Sequence, residues 1–183
     1  KDIILDLKTI GLQAVIVGIE SVRPGDLKGY KKGTTAEINE KCIQILRESD
    51  IELYATLIIP PDFRKEDFKH LVAWLRKLNV RFVNLQPLTP LPGTDIFDEY
   101  KRSILAERQR FQVWDMAHVL LRPEHMSIRA FYWEILKAYY KVVMRPKHLL
   151  YLIKKYGLKA NLKMLAGSSL ISFQYLQKIV RRP

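Results

Sequence analysis

Three short apolar runs, separated each time by a stretch of helical period, constrain this chain more than any other feature. The runs are Ala14–Ile19, Glu52–Ile59 and Arg81–Gln86. Each is too short for a helix and reads as a strand buried in a sheet. Between the first two, Ile38, Cys42, Ile45 and Leu46 recur at helical spacing. Between the second and third, Phe68, Leu71, Val72, Leu75 and Leu78 do the same. Strand–helix–strand–helix–strand order implies parallel pairing with right-handed crossovers. Punctuation agrees. Gly11 ends an N-terminal helical pattern of Ile3, Ile4, Leu7 and Ile10. A long basic loop runs from Ser21 to Gly33, with a turn at Pro24-Gly25. Thr34 as N-cap with Glu37 three residues later predicts a capping box for the first crossover helix, which ends near Ser49-Asp50. Pro60-Pro61 must stop the second strand, because neither proline can donate to a ladder.

Val15, Ile16 and Val17 run into Gly18, and polarity then begins abruptly at Glu20 and Ser21. A glycine there lets a backbone or a ligand approach closely. Ligands of α/β proteins bind outside the carboxyl ends of the strands, so Glu20 and Ser21 stand where a site would form. The alternative is that they simply leave the core and meet water. Lys31-Lys32, just before a helix start, is either an anion site or a solvated pair. Gln86–Phe97 holds three prolines and a glycine, which excludes a regular element. Its stiff backbone suits the wall of a pocket or a rigid connector equally.

The rest reads as helical. Ile104–Leu121 predicts one amphipathic helix with Phe111, Val113, Trp114, Ala117 and Leu121, broken at Arg122-Pro123. Ser127 is a fair N-cap for a second, to about Met144, with Phe131, Ile135, Ala138 and Val142 on one side. After Arg145-Pro146 come two basic helices, Lys147–Tyr156 and Leu158–Arg181. Charge divides with the pattern. Residues 1–100 carry 14 Lys+Arg against 15 Asp+Glu, and residues 101–183 carry 17 against 4. The two parts, 1–100 and 101–183, are therefore expected to be separate units. The basic part implies an anionic partner. Residues 101–145 read best as a layer covering the sheet. Residues 147–182 read as a face for an anionic membrane surface, with nucleic acid the lesser alternative.

Several classes are excluded. No run of 18 apolar residues exists, so nothing in the sequence reads as a membrane span. Cys42 is the only cysteine, which rules out an internal disulfide and any all-cysteine metal site. It falls on a core-facing helical position, and a cytoplasmic setting is the milder inference. His70, His118, His125 and His148 show no metal-binding spacing, and no dinucleotide, P-loop, nucleophile-elbow or zinc motif occurs.

Taken together, VGIES (17–21), KKGTTAE (31–37), EDF (66–68) after a proline turn, and VNLQPLTPLPGTDIF (83–97) resemble the C-terminal half of a radical S-adenosylmethionine domain. The resemblance is to the group whose members carry a cobalamin-binding domain upstream, and WDMAHVLLRPEHMS (114–127) looks like that group's helical tail. It implies a partial parallel β/α barrel, with about three strands present, and S-adenosyl-L-methionine lying across the carboxyl ends of the strands. By the resemblance, Glu20 and Ser21 meet the cofactor's ribose and amino-acid portion, and Lys32 meets its carboxylate. Leu57 and Ile59 lie on the strand that packs on adenine, and Gln86, Leu88 and Pro90 form the last wall.

Members of that group hold a [4Fe–4S] cluster through Cys-x3-Cys-x2-Cys, which this chain lacks. The resemblance therefore implies a fragment that is inactive alone and whose partner is the missing N-terminal half of the same protein. The parent would use a 5′-deoxyadenosyl radical for C–H functionalisation or methyl transfer, with cobalamin as a further cofactor. Its substrate would be a small or lipid-like molecule. The alternative from a different class is a non-catalytic basic module that binds RNA or an anionic membrane surface.

Overall fold

The computed structural model describes residues 2–180 as an α/β fold, a three-stranded parallel sheet followed by a helical region. Helix α1 (Asp2–Thr9) stops at Gly11, whose φ of 109° suits glycine alone. Strand β1 (Ala14–Glu20) leads through a short helix α2 (Pro24–Gly29) into α3 (Ala36–Glu48). Strand β2 (Glu52–Ile59), helix α4 (Lys65–Lys77) and strand β3 (Phe82–Pro87) follow. The strands lie in the order β1-β2-β3, all parallel.

Strand alternation gives the sheet two unlike faces. Leu53, Ala55, Leu57 and Ile59 of β2 are all buried. They join Val83 and Leu85 of β3, Ile43 and Leu46 of α3, and Phe68, Leu71 and Leu75 of α4 in one apolar core. Leu75 is fully buried, so truncating it to alanine costs about 3 kcal/mol. The opposite face is open. Ile16 is 77% exposed and Tyr54 45% exposed, and Thr56, Ile58, Asn84 and Gln86 are half-buried.

Beyond β3, a short helix α5 (Asp95–Tyr100) precedes an irregular stretch and then α6 (Ile128–Val143). The Ser127 hydroxyl caps α6 by accepting the Ala130 N–H at 3.2 Å. Phe131, Ile135, Ala138 and Val142 are buried and extend the core from the sheet. Tyr139 reaches the outer edge of β3, where its hydroxyl accepts the Leu85 N–H at 2.7 Å and lies 3.1 Å from Asn84 Oδ1.

Helix α7 (Pro146–Val180) is two helices broken at Gly157, which takes a φ of 74°. The first half clamps the amino ends of the strands. Buried Glu52 receives Arg81 at 3.1 Å, Lys155 at 3.0 Å and the Tyr151 hydroxyl, and Arg81 stacks 3.7 Å above the Tyr151 ring. The second half returns along α6, with Tyr140 bonded to Ser172 and Arg129 to the Val180 carbonyl. Arg181, expected to end this helix, lies outside the described residues. Among the described residues no helix is long and apolar enough to cross a membrane.

Three local expectations are corrected. Ile104–Leu121 is not a helix. Asp115 accepts the N–H groups of Ala117 and His118, Met116 takes a φ of 59°, and Ile104 bridges Leu121, leaving one 3-10 turn at Phe111–Val113. The Asp115 side chain offered the backbone an alternative that defeated the helical spacing. Pro24-Gly25 opens a helix rather than a turn, since proline is favoured in the first helical positions. The cap of α3 is Thr35, which accepts from the Ile38 N–H at 3.3 Å, while the Thr34 hydroxyl bonds Asn39 instead.

Candidate functional site at the strand ends

The carboxyl end of β1 is distorted. Its pairing with β2 slips between Gly18 and Glu20, so Glu20 faces Leu57. Glu20 takes a φ of 64°, and the Ser21 N–H bonds the Ile19 carbonyl at 2.8 Å. A three-residue turn of this hand is rare and strained, and a bulge of this kind re-aims a side chain. Here the Glu20 side chain folds back over Gly18. A Cβ added at Gly18 would sit 2.4 Å from Glu20 Oε1. Only glycine leaves room for that carboxylate.

Lys32 Nζ lies 2.8 Å from the same oxygen. The Glu20 side chain is 16% exposed and that of Lys32 43%. One charge is sheltered and its partner is open to solvent. A carboxylate accepts from an ammonium or a hydroxyl, and a lysine donates to a carboxylate. The pair is thus complementary to a zwitterionic amino acid.

Gln86 pairs with Ile58, one residue beyond the Leu57 that faces Glu20. Glu20 on β1 and Gln86 on β3 therefore both stand at the carboxyl end of the sheet, with β2 between them. The Gln86 amide has no hydrogen-bond partner among the described residues.

Ser21 is elsewhere. It is 2% exposed, donating its hydroxyl to Asp26 at 2.6 Å and accepting the Arg23 N–H at 3.0 Å. Arg23 holds Asp26 and Asp62, each at 2.8 Å, and lies 4.7 Å above the Phe63 ring. Burial works against the Arg23 charge, but the hydrogen bonds and charges of Asp26 and Asp62 outweigh it and raise its pKa. This network ties the loop after β1 to the loop after β2, and Ser21 belongs to it rather than to the mouth.

Leu57 and Ile59 are each 1% exposed on the helix-facing side of the sheet. Leu88 and Pro90 are also buried, and the Leu88 N–H continues the ladder to Ile59 at 3.0 Å. The backbone of this wall is fixed by packing. The side chains of Glu20 and Lys32 meet, Gln86 stands across β2 at the same end of the sheet, and those of Ser21, Leu57, Ile59, Leu88 and Pro90 are buried away from solvent.

Sequence reasoning missed the stacked rings of Tyr54 and Phe82, 5.1 Å apart on the open face. They are direct partners in the β2–β3 register, a relation that only the pairing reveals. Two surface hollows, of about 440 Å³ beside α3 and about 320 Å³ beside α6, lie away from the strand ends and contain none of the expected site residues. Burial pushes the Cys42 thiol up, and among the described residues no group of three metal-ligating side chains occurs.

No protein-family model matches the chain. Its curated relatives are methyltransferases. It is 25% identical over 165 residues to the bacteriochlorophyllide d C-8(2)-methyltransferase of Chlorobaculum tepidum, covering 83% of this chain and 37% of that protein. It is 25% identical over 142 residues to the hopanoid C-3 methylase of Methylococcus capsulatus, covering 78% and 26%. An uncharacterized methyltransferase of Pyrococcus horikoshii is 23% identical over 145 residues, covering 79% and 32%. The chain thus spans well under half the length of each relative.

Proposed function

We propose that this chain is the S-adenosylmethionine- and substrate-facing part of a radical S-adenosylmethionine methyltransferase. The carrying observation is the Glu20–Lys32 pair, set over Gly18 at the end of a parallel strand. Similarity to methyltransferases supports it. Lys32 pairs with the methionine carboxylate, and Glu20 accepts from the ammonium or the ribose hydroxyls. Gln86 and the fixed backbone of residues 86–90 read the adenine edge. The three strands form part of a β/α barrel whose open face looks inward. Ile16, Tyr54 and Phe82, one register row toward the amino ends of the strands, then form an apolar floor beneath the cofactor.

When bound, S-adenosylmethionine supplies a methyl group or, on reductive cleavage at an iron–sulfur cluster, a 5′-deoxyadenosyl radical. The residues present do not fit such a cluster. The one thiol is half-buried on α3 with its pKa raised, far from thiolate character at neutral pH. Cluster ligands, and any cobalamin site, belong in this reading to the length of the relatives that the chain does not span. The relatives named for a bacteriochlorophyllide and a hopanoid favour a large, carbon-rich substrate.

Equilibrium dialysis of the chain against S-adenosylmethionine tests the reading. Lys32→Ala and Glu20→Gln should each weaken binding about tenfold, the scale of one charge-assisted contact. Binding that neither substitution alters, or no binding at all, overturns it.

A further inference from the structure

We infer that the second half of α7 is a docking face for an anionic lipid surface. From Leu158 to Val180 this helix carries an apolar stripe that the body of the protein does not cover. Leu158, Leu162, Leu165, Phe173, Leu176 and Val180 recur at helical spacing, and all are exposed, from 43% at Leu165 to 73% at Val180. The other side of the helix is occupied, because Asn161 and Tyr175 are buried against the first half of α7 and against α6. The stripe is thus the outward face of a docked helix and not a frayed end.

Charge selects the occupant. After Glu134 the sequence has 11 Lys+Arg and no Asp or Glu. Lys154, Lys159 and Lys163 are exposed and have no acidic partner among the described residues. An apolar stripe whose only charged neighbours are cations is how a helix lies in the headgroup region of a bilayer. The neighbouring face of α6 continues the pattern. Trp133 and Tyr140 are about half exposed beside Lys141, with Lys137 paired to Glu134 at 2.6 Å, and Tyr140 bonds Ser172 on α7 at 3.1 Å. Rings with one polar edge favour the lipid–water boundary. A nucleic acid would answer the lysines but leave the leucines and Phe173 in water. A second copy of this chain would bring like charges together.

The test is flotation of the chain with lipid vesicles. Binding should be on the order of tenfold greater to phosphatidylcholine vesicles containing about one-third phosphatidylserine than to phosphatidylcholine alone. Raising salt from about 0.05 M to about 0.5 M should weaken it severalfold. The exposed-site variant L162S/L165S/F173S should lose binding at any salt, and K159E/K163E should lose only the preference for anionic lipid. Both should keep the wild-type circular dichroism spectrum and melting temperature, since neither touches the core. Equal binding to the two vesicle types, or no flotation, overturns the inference. So does sedimentation showing that L162S/L165S/F173S dissociates a dimer without affecting vesicles, or salt-sensitive binding to RNA with none to lipid.

Discussion

At the scale of single residues, the fold concentrates backbone strain at Glu20. A non-glycine residue at a φ of 64° costs about 1 kcal/mol or more relative to ordinary strand geometry. The usual ranking of alanine over glycine should therefore reverse here. Glu20→Gly should be about 1 kcal/mol more stable than Glu20→Ala in urea denaturation, though neither would hold Lys32. Gly18→Ala acts differently. Its new methyl group meets the far end of a side chain, 2.4 Å away, so the Glu20 carboxylate can swing aside. The melting temperature should hardly change while S-adenosylmethionine affinity falls about tenfold, because the displaced carboxylate no longer meets the ligand's ammonium or ribose hydroxyls. Similar affinity in Gly18→Ala and wild type would show that the close approach has no binding role.

At the scale of elements, one hydroxyl closes the edge of β3. Tyr139 meets the Leu85 N–H at 2.7 Å, and burial pushes its own pKa up to about 12. Tyr139→Phe leaves that backbone group without its partner and should cost about 2 kcal/mol in chemical denaturation. Amide exchange at Leu85 should quicken in parallel. Element order was legible in the sequence because apolar runs of strand length alternate with helical spacing, and α6 was legible from Ser127 and its buried face. The stretch 101–127 was not. Its apolar residues fall at helical intervals, but the Asp115 side chain and the left-handed Met116 turn the backbone away. The candidate site divides in the same way. Glu20 and Gln86 follow from strand-end position and Lys32 from the resemblance, whereas Ser21 turns inward because Arg23 and Asp26 assemble a network that spacing alone does not reveal.

For the whole molecule, Glu52 joins the sheet to α7. Burial disfavours its charge, but Tyr151, Lys155 and Arg81 outweigh that and hold its pKa below the usual glutamate range. A carboxyl depressed in the folded state contributes stability above its unfolded pKa and loses it as pH falls through the folded value. Thermal stability should therefore fall on acidification below the ordinary glutamate range. Glu52→Gln should flatten that fall and cost about 3 kcal/mol at neutral pH, since Arg81 and Lys155 lose their common anion. The open strand has a consequence at the same scale. Ile16 is 77% exposed on β1, which pairs only on its β2 side among the described residues. Such an edge invites association, so the chain should self-associate in sedimentation experiments, and Ile16→Lys should reduce this. Tyr139 occupies the outer side of β3 at Leu85, while no described strand lies beside β1 other than β2. The flank of β1 is therefore the freer place to lay a further strand, and a barrel built on this sheet would grow most readily from there.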